Sequence, residues 1–171
     1  MVSNYRGLAE HLDDVYEELT RNETPLLEAL HALEVHTVIA SYFGSGDSGE
    51  VEDIEFYHED QNVPTGDLEK AASDYQVTIE ESQSEFVGGG WQTKIVAVTI
   101  SLRMAIMHYC EAWLELEHPG YGIDEGGQGE MTIDVEAGQF TLNHSDRVIA
   151  LETVTHARTA PPPIPHETLE I

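Results

Sequence analysis

The charge of this chain constrains it more than any other feature. It carries 33 Asp and Glu against 7 Lys and Arg, a formal net charge of -26 on 171 residues. Self-repulsion on that scale works against a compact state, and apolar burial has to outweigh it. Hydrophobic residues make up 40% of the chain, which is core enough for one domain. A chain this acidic lacks the basic footprint that phosphate recognition needs, so direct binding to nucleic acid or to an anionic membrane is excluded. The single cysteine excludes an internal disulfide and any multi-cysteine zinc site.

The N-terminal residues have no apolar leader, and the longest strongly apolar run, Ile95 to Ile100, is too short to span a bilayer. The expectation is a soluble, cytoplasmic protein that contacts no membrane.

The acids are unevenly spread: residues 1–60 hold 15, residues 61–110 hold 6 and residues 111–171 hold 12. Glu50, Glu52, Asp53, Glu55, Glu59 and Asp60 crowd one short segment. Two readings of the charge stay open. Near-absence of lysine (Lys70 and Lys94 only) fits halophilic adaptation, in which salt screens the repulsion of a hydrated acidic surface. Alternatively, the 50–60 cluster forms a face that meets a basic site on a partner protein. Averaged over its surface the chain is roughly threefold less charged than duplex DNA, so nucleic-acid mimicry requires concentration on one face.

Periodicity gives the elements. Leu8, Leu12, Val15 and Leu19 form one helical stripe over residues 4–21. A second helix is expected from Thr24 as cap, with Pro25 in its first turn and Leu26, Leu27, Leu30 and Leu33 buried. Thr37–Phe43 and Glu50–Tyr57 read as strands of a hairpin around Gly44–Gly49. A short helical piece near Asp67–Asp74 and a strand in Gln76–Gly90 follow. Leu102, Ile106, Tyr109, Trp113 and Leu116 mark a long helix placed at 93–117, although the β-branched run 95–100 also suits a strand. His118-Pro119-Gly120 ends it. Residues 130–135 and 139–143 form a second hairpin, and 147–155 one more strand. The expected fold is α+β: an antiparallel sheet of two β-hairpins plus an added strand, packed on one face by the long helix, with N-terminal helices nearby. Residues 1–158 are one domain, with an insertion at about 58–92, and 159–171 are a Pro-rich tail.

Gly44-Ser45-Gly46-Asp47-Ser48-Gly49 matches G-x-G-x-x-G, but a strand follows it instead of a helix, and acids stand where a pyrophosphate would sit. Gly46-Asp47-Ser48-Gly49 also matches the nucleophile segment of chymotrypsin-like proteases, whose scaffold and triad partners cannot fit into the residues upstream. The loop reads as a hairpin connection. Asp47 and Glu50 offer oxygens suited to Ca²⁺ or Mg²⁺, without the spacing of an EF-hand; otherwise no cofactor is expected. The second loop, His118 to Glu130, holds His118, Asp124, Glu125 and Glu130 beside five glycines. These four are the candidate catalytic residues of an acid/base or metal site, which Asp47 would join if both loops lie at one end of the sheet. The competing reading is an acidic, glycine-rich connection.

Taken together, the two loops resemble an uncharacterised family of small acidic proteins, DUF6878, of bacteria, phages and plasmids. Its pattern is strand–GSGDSG–acidic strand, a helix, H-G-G-W-E-x-x-x-G-x-x-G-E and a final hairpin. The matching residues are Gly44–Gly49, Glu50, Glu52, His118, Gly120, Tyr121, Gly126, Gly129 and Glu130. The chain departs at Pro119, and has Tyr121 and Gly122 where the family has Trp-Glu. The resemblance implies an α+β fold and a mobile-element origin, and brings no activity. It leaves a non-enzymatic accessory protein that binds a basic protein surface as the preferred reading, with nucleic-acid mimicry as its sharpest form. A small enzyme, or a structural protein of a particle docked through the Pro-rich tail, is the alternative.

Screening predicts a thermal midpoint that rises between about 0.1 M and about 3 M KCl. Circular dichroism melts check this: folding only at high salt marks the acidity as solvent adaptation, whereas a stable fold at low salt favours a clustered acidic face.

Overall fold

In a computed structural model, residues 3–59 and 64–148 are described. The elements run α1 (Ser3–Ala32), β1 (Thr37–Tyr57), α2 (Gly66–Asp74), β2 (Gln76–Val87), β3 (Gly90–Ser101), α3 (Leu102–Glu117), β4 (Ile123–Asp124), β5 (Gly127–Asp134) and β6 (Gln139–Asp146). The fold is α+β, with an antiparallel sheet ordered β4-β1-β5-β6 and a separate β2-β3 ribbon.

The two expected N-terminal helices are one. Thr24 is inside α1 and caps nothing, and Pro25 sits mid-helix. Proline removes one helical hydrogen bond there. Burial on both sides of that position holds the helix together, because Leu19, Leu26, Ala29 and Leu30 are all buried. α1 ends in a Schellman motif. Glu34 N–H donates to His31 O (3.0 Å) and Val35 N–H to Leu30 O (3.0 Å), while Leu30 and Val35 are both buried. The motif needs a left-handed residue, and Glu34 fills that place with φ 56°.

β1 folds back on itself. His36 N–H donates to Tyr57 O (2.8 Å), so the arms 37–43 and 50–57 form the expected hairpin. Strand structure continues to the tip, where Gly46 pairs with Asp124 and Asp47 with Ile123, so the glycine-rich segment is no open loop. The first arm pairs with β5 from Thr37↔Asp134 to Phe43↔Gln128, and β5 pairs with β6 through the second expected hairpin. No other strand among the described residues pairs with the second arm, which is an edge as its charge suggested.

The long helix begins at Leu102, not near residue 93. The β-branched run 95–100 belongs to β3, which pairs with β2 without interruption from Gln76↔Ser101 to Val87↔Gly90. Ser101 makes the switch: its Oγ accepts from Met104 N–H at 3.3 Å as the helix cap. The strand expected at 147–155 is not seen at Arg147 and Val148, which follow β6 outside any strand; residues 149–155 and the tail at 159–171 lie outside the described residues.

α3 lies on the inner face of the sheet. Leu102, Ala105, Ile106, Tyr109, Cys110 and Leu114 are buried with Val38, Ala40, Tyr42, Ile54, Phe56, Met131 and Ile133. Each such Leu, Ile or Phe contributes about 1.5–3 kcal/mol on full burial. α1 packs against α3 and the base of the β2-β3 ribbon, where the Asn22 amide exchanges two hydrogen bonds with the Glu80 backbone, each 2.8 Å.

Replacing Glu34 by glycine removes a left-handed L-residue, and also a carboxylate at the negative end of the helix dipole. Glu34→Gly therefore raises stability by about 1 kcal/mol, measured as a higher urea midpoint at unchanged m-value.

Candidate functional site

The tip of β1 and the segment after α3 meet at one end of the sheet. Gly122 lies against the backbone of Ser48 and Gly49, where an added Cβ would stand 2.7 Å from the Ser48 carbonyl carbon. The two loops singled out from the sequence therefore build one structure.

A buried row crosses the inner face beneath them. Tyr42, Gly129 and His144 are register partners on β1, β5 and β6. A Cβ on Gly129 would stand 2.6 Å from the Tyr42 hydroxyl and would collide with the Asn143 carbonyl, so only glycine admits the phenol here. The Tyr42 hydroxyl lies 2.9 Å from both Asn143 O and His144 Nδ1. His144 Nε2 faces Asp146 Oδ1 at 3.1 Å, and the His144 side chain is 4% exposed.

The protons can be assigned by elimination. Nε2 faces a carboxylate, so it carries a hydrogen. The single Tyr42 hydrogen serves either His144 Nδ1 or Asn143 O. Neutral His144 takes it at Nδ1. The imidazolium instead donates from Nδ1 to the phenol oxygen, which frees the hydroxyl for Asn143 O. The row is a hydrogen-bonded chain that runs from Asp146 through His144 to the Tyr42 hydroxyl. Burial first, then the neighbouring Cys110, Tyr121 and Asp146, push the Tyr42 phenol up from 10.0 to about 12.

His118, from the end of α3, stacks on His144 with centroids 3.8 Å apart and planes 16° from parallel. A cavity of about 380 Å³ opens beside the pair, lined in part by Tyr121, Asp124, Glu125, Asp146 and Arg147. Arg147 is anchored by its N–H to Gly126 O (3.0 Å), and its guanidinium lies 5.0 Å from the Phe43 ring centroid.

Of the sequence candidates, His118, Asp124 and Glu125 share this cavity, and Asp47 is next to them at the hairpin tip, paired with Ile123. Glu130 is separated from them. It follows Gly129, so strand alternation turns it to the opposite, outer face. Among the described residues no group of three His, Cys, Asp or Glu side chains could hold a metal ion, so Asp47 and Glu50 gain no third ligand. Stacked, nearly parallel imidazoles also cannot direct their in-plane lone pairs at one ion. Tyr42, His144, Asp146 and Arg147 were missed. The signal for two of them was His144-Ser145-Asp146, whose period of two puts both on one strand face; ending the strand at Asn143 hid it.

Of the acidic cluster, Glu50, Glu52 and Asp53 are exposed on the second arm of β1. Glu55 accepts the Tyr57 hydroxyl at 3.0 Å. Burial first, then Glu55, Asp53 and Glu130, raise the Tyr57 phenol, and strand alternation puts Glu130, paired with Ser41, on the same outer face. Glu59 lies at the opposite end of the sheet, lining a groove with His31, His36 and His58, and Asp60 lies outside the described residues. No helix among the described residues is long and apolar enough to cross a membrane.

Tyr42→Phe removes the phenol's hydrogen bonds and should cost about 1–2 kcal/mol at neutral pH. The wild-type phenol ionises at higher pH folded than unfolded, so its contribution is complete below pH 10 and is lost as pH rises towards 12. Urea titrations at stepped pH should therefore show a shallower alkaline loss of stability in the variant.

No curated protein and no solved structure matches the chain. The model of a family of unknown function, DUF6878, matches residues 19–158, a span that includes both loops, the buried row and the helix beneath them. The chain belongs to the DUF6878 family.

Proposed function

We propose that this protein is a non-enzymatic acidic accessory protein whose outer sheet face binds a basic surface on a partner protein. The observation that carries the reading is that strand alternation turns Asp53 and Glu55 of β1 and Glu130 of β5 to the same outer face, with Glu130 paired to Ser41 of β1. The nearest cation is Arg103, 3.9 Å from Asp53, and it is shared with Glu69 at 3.7 Å. Carboxylates held on a sheet are preorganised, so a cationic partner gains attraction with little ordering cost. The sharpest form of the reading is imitation of nucleic acid against a nuclease or DNA-binding complex.

A second reading, a small acid/base enzyme, is favoured by one observation: both loops lie at the same end of the sheet, with His118, Asp124 and Glu125 around one cavity. In that reading His118 exchanges protons with substrate, and Tyr42 and Asp146 act on it only through His144.

Titration calorimetry with decalysine at low salt tests the preferred reading. Neutralising Asp53, Glu55 and Glu130 to Asn and Gln removes three charges worth about 0.5 kcal/mol each, so binding should weaken roughly tenfold. Neutralising the exposed Asp13, Glu28 and Glu115 changes net charge equally and should matter far less. Equal losses from the two triple variants would mean that only net charge is sensed, and the face would not be a binding site.

A further inference from the structure

The two edges of the β2-β3 ribbon are treated differently. α1 covers the β2 edge with side chains that act like a neighbouring strand. Asn22 donates to Glu80 O and accepts from Glu80 N–H, each at 2.8 Å, and Glu18 accepts from Ser82 N–H at 2.7 Å. The backbone groups of Glu80 therefore point away from β3. In an antiparallel pair the residue directly opposite then points its own groups outward. That residue is Ala97, and by the period of two Ile95 and Thr99 do the same.

Among the described residues nothing caps this second edge. β2 is the only strand that pairs with β3 among the described residues. Exposed edges are ordinarily blunted by charge, proline or a bulge. β3 has no proline, and its pairing with β2 is unbroken over its full length. Its one charge, Lys94, already pairs with Glu85 at 3.2 Å. Ile95 is 55% exposed, and Ala97 and Thr99 are exposed. From residue 82 outward none of the described side chains of the ribbon is buried, and a lone two-stranded ribbon is only marginally stable in water.

Charge identifies the occupant. From Phe86 to Cys110 the chain contains no Asp or Glu, although it has 33 elsewhere. This is the stretch along which a second chain of charge -26 can approach without meeting carboxylates. An identical strand run antiparallel is complementary by two-fold symmetry, and Lys94 opposes its own copy in only one register.

We infer that β3 is a self-association strand: a second copy of this chain pairs its own β3 antiparallel along the open edge, making a continuous four-stranded sheet with a β2 at each outer side. Added salt screens the two acidic bodies and tightens the contact.

Sedimentation velocity of the full chain, from about 1 to about 200 µM at low and at about 1 M KCl, tests this by mass action. The expected result is a mass that doubles from 19.0 kDa with concentration and does so earlier at high salt. Ala97→Glu puts two carboxylates near the two-fold axis and leaves the exposed monomer position unstrained, so association should weaken at least about tenfold. Ile95→Lys serves the same purpose if Ala97→Glu does not fold by circular dichroism. In the wild type, hydrogen exchange of the Ile95, Ala97 and Thr99 amides should slow as concentration rises. A 19.0 kDa mass under every condition would overturn the inference. So would association that survives both variants while these amides still exchange fast, because the contact would then lie elsewhere.

Discussion

The whole structure depends on one apolar layer between α3 and the inner face of the sheet. Leu102, Ile106, Cys110 and Leu114 meet Val38, Ala40, Met131 and Ile133 there, all 0% exposed. A chain of charge -26 resists compaction, and this layer is where burial outweighs the repulsion. It contains no carboxylate, so the acids are displaced to the outer sheet face, the helix exteriors and the two ends of the sheet. The arrangement of charge follows from the need to keep this layer dry.

Strand alternation then divides the functional chemistry. Along β5, Gly129 faces inward and receives the Tyr42 hydroxyl, while Glu130 faces outward, paired with Ser41 on the first arm of β1. Adjacent residues thus serve different surfaces. The inward row joins β1 to β6 across Gly129 of β5 through Tyr42, His144 and Asp146, and it fixes the ring on which His118 stacks. The outward face carries Asp53, Glu55 and Tyr57 of β1 and Glu130 of β5. Glycine at 129 is required by the first surface and makes no contribution to the second.

Much of this was legible in the residues. Both hairpins, the stripe of α3 from Leu102 to Leu116 and its termination at His118-Pro119-Gly120 follow from local rules of period and turn chemistry. Pro25 misled because its local signal marks a helix start, whereas burial of Leu26 and Leu30 carries α1 straight through it. The start of α3 was blurred because Ile95–Ile100 suits either a strand or a buried helix. The long register with β2 decides for the strand, and Ser101 sets the boundary. Three of the four candidates at the second loop, His118, Asp124 and Glu125, come together, and alternation removes Glu130.

What the sequence by itself determined is what depends on near neighbours: the acidic character, the α+β class, the two hairpins, the turn residues and the helix stripe. The tertiary structure alone decided which distant residues meet. It split the strands into a four-stranded sheet and a two-stranded ribbon, brought the hairpin tip against Gly122, and set the Tyr42 hydroxyl 2.9 Å from the carbonyl of Asn143, 101 residues away in the chain. Long-range contacts of this kind carry no local periodicity, because they are selected by the packing of whole layers. For the same reason a histidine two residues from an aspartate near a strand end becomes a buried ring only once another strand supplies the tyrosine.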